Sequence, residues 1–83
     1  MIDVLYFAWV RERIGVPREQ VETQARTVAE LVEELKGREA RYAAAFADVS
    51  ALRAAVDQDL VDDFSASIEG AREVAFFPPM TGG

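Results

Sequence analysis

The sequence predicts an α+β domain of two layers, a mixed β-sheet packed on one main helix with a short second helix. Three observations lead to this prediction. An apolar segment rich in aromatic residues opens the chain, an amphipathic segment with helix-capping residues lies in the middle, and the alternating segment EVAFF lies near the end. Strands at both ends of a chain, with the main helix between them, favour one sheet covered by helix.

The opening segment MIDVLYFAWV predicts the first strand, over residues 1–10. It is apolar at nearly every position, which is typical of a central strand covered on both faces. Because side chains alternate along a strand, Asp3, Leu5 and Phe7 share one face, and Asp3 marks that face as the one nearer water. The following VRERIGVP is predicted to be a turn.

The segment REQVETQA predicts a second strand, over residues 18–25. Val21, Thr23 and Ala25 alternate there with polar residues, which is typical of a strand with one face in water. We expect this strand to form an antiparallel hairpin with the first.

The segment TVAELVEELKG predicts the main helix. Thr27 and Glu30 have the spacing of a capping box, and Gly37 suits the position after the last turn. One apolar stripe at helical spacing is formed by Val28, Leu31, Val32 and Leu35. We expect this stripe to pack against the sheet.

The rest of the chain predicts a second helix and further strands. EARYAAAFADV predicts a short helix, with Tyr42 and Phe46 inward, and ALRAAVDQDLV predicts a strand followed by a tight turn. After a turn at residues 69–70, a last strand is predicted over residues 72–77, with Phe77 on the face away from Val74 and Phe76. If the last strand pairs parallel with the first, this order is the ubiquitin-like β-grasp. The chain is thereby divided into a β-grasp domain over residues 1–77 and a flexible tail over residues 78–83.

Composition excludes much of the usual chemistry of enzymes. The chain of 83 residues has no cysteine and no histidine, which rules out thiolates, imidazole bases and Cys/His zinc sites. Its carboxylates lack the spacing of a calcium loop, so we expect no metal site. The net charge of −6 disfavours nucleic acid and suits a basic protein partner. The longest apolar run is too short for a bilayer and does not read as a signal peptide, so no membrane contact and a cytoplasmic location are expected.

The chain ends in FFPPMTGG, a pattern that predicts an extended tail with a carboxylate at its end. Pro78 and Pro79 end the last strand because neither can donate a hydrogen bond to a ladder, and both favour an extended conformation. The residues after them are Met80, Thr81, Gly82 and Gly83. Fully extended, the last six residues reach about 20 Å, and the two glycines present a backbone thin enough for a narrow tunnel. The only reactive group at this end is the α-carboxylate of Gly83.

VLYFAWVRERIG, TVAELVEEL and above all EVAFFPPMTGG resemble the MoaD family, the small subunits of molybdopterin synthase. The resemblance covers essentially the whole chain. One departure is EGAREV before the last strand, where relatives often carry an acidic residue after the glycine; it leaves the tail untouched.

The resemblance implies a sulfur carrier in molybdenum cofactor biosynthesis. Gly83 would be adenylated by an ATP-using, MoeB-like activating enzyme and converted to a thiocarboxylate with sulfur from a donor protein. The tail would then enter the large synthase subunit and donate sulfur to cyclic pyranopterin monophosphate, forming the molybdopterin dithiolene. The chain would bind no cofactor itself. It would be a non-catalytic subunit of a heterotetramer whose catalytic groups lie on the large subunit.

Partner binding is expected on the sheet face opposite the main helix. Strand parity puts Phe7 and Phe77 on that face, and Leu60 lies in the predicted turn region after VDQD. Exposed apolar patches of this kind usually mark interfaces.

Other functions remain open. One is a sulfur carrier for thiamine or tRNA thiolation, although thiazole carriers are typically shorter and lack FFPP. Another is a ubiquitin-like protein modifier, for which the single lysine, Lys36, disfavours lysine-linked chains but not single conjugation. The third is an interaction module with an inert tail.

Overall fold

Five strands form one mixed sheet in the order β2-β1-β5-β3-β4. The computed structural model describes residues 1–61 and 63–79. In chain order the elements are β1 (Ile2–Tyr6), α1 (Ala8–Ile14), β2 (Arg18–Val21), α2 (Val28–Lys36), α3 (Ala40–Ala45), a 3-10 turn (Val49–Ala51), β3 (Arg53–Val56), β4 (Asp59–Leu60) and β5 (Glu73–Phe77). The predicted α+β, β-grasp architecture is confirmed.

The centre of the sheet is built from the two ends of the chain. β5 pairs parallel with β1 and antiparallel with β3, so it lies in the middle of the sheet. β2 pairs antiparallel with β1, which confirms the predicted hairpin, although the strand ends at Val21 rather than Ala25. The core side chains of β1 are Ile2, Val4 and Tyr6, all nearly or fully buried, whereas Asp3 is half-buried. The predicted parity of the first strand is therefore correct.

The prediction of one strand over residues 1–10 is wrong, because a helix begins at Ala8. α1 buries Val10 and Ile14, which lie four residues apart and so share one helix face. Ala8 itself has φ +53, so the chain turns sharply after β1. Gly15 ends the helix at φ +98, a left-handed conformation that glycine adopts without strain, and its N–H donates to the Arg11 carbonyl at 2.7 Å.

α2 follows the sequence prediction closely. All four residues of its apolar stripe are buried. The Thr27 hydroxyl accepts a hydrogen bond from the Glu30 N–H at 3.2 Å, whereas the Glu30 carboxylate accepts from the N–H of Arg26 rather than that of Thr27. The helix ends at Lys36, and Gly37 follows as the cap.

α3 and the sheet enclose a set of aromatic side chains. Tyr42 and Phe46 are fully buried, as predicted for the second helix. Phe46 meets Phe76 of β5 edge-on, with ring centroids 5.1 Å apart. All three helices contribute to one hydrophobic core with β1, β3 and β5, and so they cover the same face of the sheet.

β3 and β4 form a hairpin around Asp57 and Gln58. Both residues have positive φ, at 49° and 74°, as a two-residue hairpin loop of the primed type requires. The predicted tight turn is confirmed, but it is followed by a short edge strand, β4, that the sequence pattern did not indicate. β5 ends at Phe77, directly before Pro78.

Candidate functional site

The sheet face opposite the helices carries an apolar row that crosses four strands. Leu5 lies opposite Ala75, Ala75 opposite Ala55, and Ala55 opposite Leu60. Because directly paired residues share a face, these four side chains form one line from β1 to the edge strand β4; we call them the outer row. Parity within each strand indicated the face of Leu5. The cross-strand register that joins the alanines to it was not readable from the sequence.

Phe7 and Phe77 lie at one end of this face, next to the point where the chain leaves the sheet. The N–H of Phe7 donates to the carbonyl of Phe76 at 3.1 Å, which holds Phe7 beside β5. The side chain of Phe7 is 46% exposed and that of Phe77 is half-buried. Arg53 of β3 lies opposite Phe77 and is exposed. The structure thus brings the two predicted aromatic residues together and adds a cation beside them.

Leu60 lies at the far end of the outer row. It belongs to β4 and not to a turn, which corrects the sequence interpretation of its position. Its side chain is 67% exposed. All three residues predicted to bind a partner therefore lie on the outer face, with Leu60 separated from the two aromatics by β3.

The other end of the outer face is charged. The Arg18 guanidinium lies 3.0 Å from the Asp3 carboxylate, and Asp3 is paired across the sheet with Glu73. The Asp57 carboxylate accepts hydrogen bonds from the N–H groups of Arg72 and Glu73, at 2.9 and 3.0 Å. These bonds anchor the start of β5, the strand that leads to the tail.

The tail leaves the sheet from the middle strand. Pro78 and Pro79 follow β5 directly, and both are half-buried. Because β5 is flanked by β1 and β3, the chain departs between two strands and beside the exposed Phe7. The predicted site residues Met80, Thr81, Gly82 and Gly83 lie outside the described residues.

The described part of the chain carries scattered carboxylates and two buried tyrosines. Within residues 1–61 and 63–79, no three acidic side chains are grouped so that they could hold a metal ion, and no helix there is long and apolar enough to cross a membrane. The hydroxyls of Tyr6 and Tyr42 both donate to the Glu19 carboxylate at 2.8 Å. Burial and these bonds to Glu19 raise the pKa of both tyrosines, so neither ionises near neutral pH.

The sequence profile of the ThiS family matches residues 4–83. The chain is 43% identical to the molybdopterin synthase sulfur carrier subunit of Escherichia coli (strain K12) and 36% identical to that of Haemophilus influenzae, in each case over all of both chains.

Two solved structures share the fold. SAMP1 from Haloferax volcanii superposes with a TM-score of 0.72 at 18% identity, over 99% of this chain and 98% of that one. A Pyrococcus furiosus protein provisionally assigned as molybdopterin converting factor, subunit 1, superposes with a TM-score of 0.70 at 28% identity, over 95% and 97% of the two chains.

Proposed function

The chain belongs to the ThiS family, and from that premise we propose that it is the sulfur carrier subunit of a molybdopterin synthase. The observation that carries the proposal is the 43% identity with a sulfur carrier subunit of that enzyme, which extends over the full length of both chains. The match spans all 83 residues, so it extends through the last strand to Gly83. We propose that the carrier acts in the cytoplasm.

The reactive group of the proposed carrier is the carboxylate of Gly83. A carboxylate is a poor electrophile until it bears a good leaving group. Its attack on the α-phosphorus of ATP, on the activating enzyme, would release pyrophosphate and form an acyl adenylate. The terminal sulfur of a persulfide on the donor protein would then displace AMP and form an acyl disulfide, and reduction of its S–S bond by thiols would release the donor protein as a thiol and leave a thiocarboxylate. Transfer of that sulfur to cyclic pyranopterin monophosphate, with water supplying the oxygen, would return Gly83 to a carboxylate.

In this proposal the folded domain positions the start of the tail. β5 is held by a strand on each side and by the Asp57 carboxylate at its start, so the point where the tail begins is firmly positioned. Pro78 and Pro79 restrict the backbone there and keep the first part of the tail extended. A fixed origin and a stiff start reduce the entropy lost when the tail enters a partner's pocket.

The outer face is the proposed docking surface for the large subunit and for the activating enzyme. It combines exposed apolar side chains, Phe7 and Leu60, with the half-buried Phe77 and with Arg53 at its rim. Interfaces commonly have this composition, an apolar centre with aromatic anchors and charge at the edge. Docking on this face would place the partner next to the tail.

The mass of the intact protein tests the proposal directly. Protein purified from its own cells, or incubated with an activating enzyme, ATP and a sulfur donor, should contain a species in which one oxygen is replaced by sulfur. Fragmentation should place that sulfur on Gly83. A chain that stays entirely in the carboxylate form under loading conditions, while a known carrier is converted, would contradict the proposal. An isopeptide-linked conjugate in its place would indicate a protein modifier.

A further inference from the structure

A second surface lies at the opposite edge of the sheet from Leu60. It is a groove of about 340 Å³ between β2 and α2, lined by Gln20, Val21, Glu22, Glu34, Leu35 and Arg38; we call it the β2 groove. β2 is the outermost strand at this end, so no strand of the described residues pairs with its second edge. None of the six lining residues belongs to the outer row, and β1 separates the groove from β5.

The unpaired edge of β2 presents backbone groups in a regular arrangement. The Tyr6 N–H donates to the Pro17 carbonyl at 2.9 Å, which makes these two a hydrogen-bonded pair of the β1–β2 ladder. Such pairs alternate with non-bonded ones in an antiparallel ladder, so Glu19 is the next residue bonded to β1. Arg18 and Gln20 therefore point their N–H and C=O groups away from β1. No other group in the described part of the chain hydrogen-bonds to them, and such an edge is a template for a further strand.

The charges along the groove indicate what would occupy it. Glu22 and Glu34 are exposed, and within the described residues neither forms an ion pair. At the other end, Arg38 lies 3.5 Å from the Glu19 carboxylate. A segment with a basic residue at the acidic end would be complementary to this pattern. The net charge of −6 opposes a second copy of this chain in the same position.

The floor of the groove is apolar. It is formed by Val21, which is 7% exposed, and by Leu35, which is fully buried. The Thr23 hydroxyl donates to the Glu34 carboxylate at 2.7 Å, so Glu34 lies beside the end of β2. A segment bound along the groove would therefore contact Glu34 at one end, the apolar floor in the middle and Arg38 at the other end.

We propose that the β2 groove binds an extended, basic and apolar segment of a partner protein by antiparallel β-strand addition. Residues of that segment opposite Thr23 and Val21 would point into the groove, since paired residues share a face. The first would be basic, beside Glu34, and the second apolar, above Leu35. Binding here leaves the outer row and β5 free, so the inference does not depend on the sulfur-carrier proposal.

The probe that follows from this register is the peptide acetyl-Lys-Arg-Val-Thr-Val-Glu-amide. Paired antiparallel to β2, it sets lysine beside Glu34, arginine opposite Glu22, its first valine opposite Val21 and its glutamate opposite Arg18. Titration of the full chain, followed by amide hydrogen exchange in NMR spectra, should show slower exchange at the N–H of Gln20. The Glu19 N–H is already bonded to β1 and should change little. Glu22→Gln combined with Glu34→Gln should weaken binding about fivefold, the size expected for two exposed ion pairs.

A matched pair of variants separates backbone pairing from general attraction. Gln20→Pro removes an outward N–H without removing a bond to β1, and an edge strand tolerates proline at such a position. It should weaken probe binding about tenfold, the loss of one hydrogen bond plus poorer strand approach, whereas Gln20→Ala should bind like the parent. If Gln20→Pro melts far below the parent, the same question is answered with the parent protein and a probe that is N-methylated at the threonine facing Gln20.

Three results would overturn the proposal. The first is equal binding of the N-methylated and unmodified probes, or of the proline and alanine variants. The second is an absence of exchange protection at Gln20 with the probe at millimolar concentration. The third is protection of Gln20 that rises with protein concentration in the absence of the probe, which would mean that a second copy of the chain fills the groove. Sulfur loading of Gly83 should be unchanged in Gln20→Ala, because β1 separates the groove from β5, the strand that leads to the tail.

Discussion

At the scale of single residues, Glu19 connects the edge of the sheet to the core. Its carboxylate accepts hydrogen bonds from the hydroxyls of Tyr6 and Tyr42, and Arg38 lies 3.5 Å away. The Arg38 and Arg41 guanidinium groups also lie over the Tyr42 ring, each about 5.0 Å from its centroid. Two buried hydroxyls thus find one shared acceptor, which ties β1 and α3 to β2.

This cluster predicts a loss of stability at alkaline pH. Burial, the hydrogen bond to Glu19 and its negative charge raise the pKa of Tyr6, and burial followed by the same bond raises that of Tyr42. In the unfolded chain both hydroxyls ionise near pH 10, about their ordinary value. Their contribution to stability is therefore complete below about pH 10 and is lost as the pH rises above it, because only the unfolded chain releases the protons.

Thermal melts followed by circular dichroism from neutral pH to about pH 11 measure this effect. The Tm of the parent should fall steeply above pH 10. Tyr42→Phe should be less stable than the parent at neutral pH, because Glu19 loses a donor, but its Tm should fall less steeply in the alkaline range. Parallel alkaline slopes for the two proteins would show that Tyr42 does not hold its proton as described.

The side chains of the neighbouring residues Phe76 and Phe77 point to opposite faces of the sheet, so the two residues form a matched pair. Phe76 is fully buried against Phe46, whereas Phe77 is half-buried on the outer face. Phe76→Ala should cost about 3–5 kcal/mol of unfolding free energy, as for other large core side chains. Phe77→Ala should cost less, yet weaken binding to the large synthase subunit or the activating enzyme about tenfold. Calorimetric titration measures the affinity, and denaturant unfolding measures the stability. If folded Phe77→Ala protein binds its partner with the affinity of the parent, Phe77 is not part of the interface.

At the scale of elements, the helices differ in how they end. Gly15 closes α1 at φ +98, and a Cβ added there would lie 3.4 Å from Nη1 of Arg41. That arginine is already engaged, because its Nη1 donates to the Ile14 carbonyl at 2.6 Å. Gly37 closes α2 at φ −79, a right-handed conformation open to any residue.

The two glycines therefore predict opposite outcomes for the same substitution. Gly15→Ala should cost about 1–2 kcal/mol, because an L-residue is strained in the left-handed region. Gly37→Ala should be neutral or stabilise by about 0.4–1 kcal/mol, since it lowers the entropy of the unfolded chain without native strain. Urea unfolding measures both values. Equal effects of the two substitutions would mean that α1 does not end in the left-handed turn.

For the molecule as a whole, the proposed mechanism gives the domain and the tail separate tasks. The core holds β5 between β1 and β3, and the outer face flanks the point where the tail begins. In the proposed mechanism, the number of residues after Phe77 then sets how far the terminal carboxylate can reach. Function should therefore respond to changes at the terminus that leave folding untouched.

Two changes at the terminus test this separation. Deleting Gly83 would draw the carboxylate back by about 3.3–3.6 Å, which is large beside the distances that transfer chemistry requires. Gly82→Val would keep the length but widen the chain and restrict its backbone. The free energy of unfolding of both variants should lie within about 0.5 kcal/mol of that of the parent, as is usual for changes outside the core.

Both should also fail in a reconstituted synthase assay containing the activating enzyme, sulfur donor and pterin precursor. The mass of the loaded carrier shows whether failure occurs before or after thiocarboxylate formation. A full yield of molybdopterin from either variant would mean that the two glycines are not the chemical handle.

The elements whose signals are local could be predicted from the sequence alone. The cap at Thr27, the apolar stripe of α2 and the alternation in β1 and β5 each repeat within one segment, and the physical cause acts within that segment. The face of Phe7 and Phe77 followed from parity for the same reason. The role proposed for the tail and its glycines could be inferred directly, because that role depends on the width of the chain and the position of its end rather than on packing.

Features that depend on residues far apart in the chain could be recognised only once the fold was known. Residues 8–10 are predicted as strand because they are apolar, and the residues after them as a turn. Residues 8–14 instead form a helix, because Val10 and Ile14 are buried in a core that α3 completes. The outer row exists through the β1–β5, β3–β5 and β3–β4 registers, which no single segment encodes. The free edge of β2 is likewise a consequence of strand order. Pairing register and layer packing are set by contacts between segments far apart in the chain, so a pattern within one segment does not determine them.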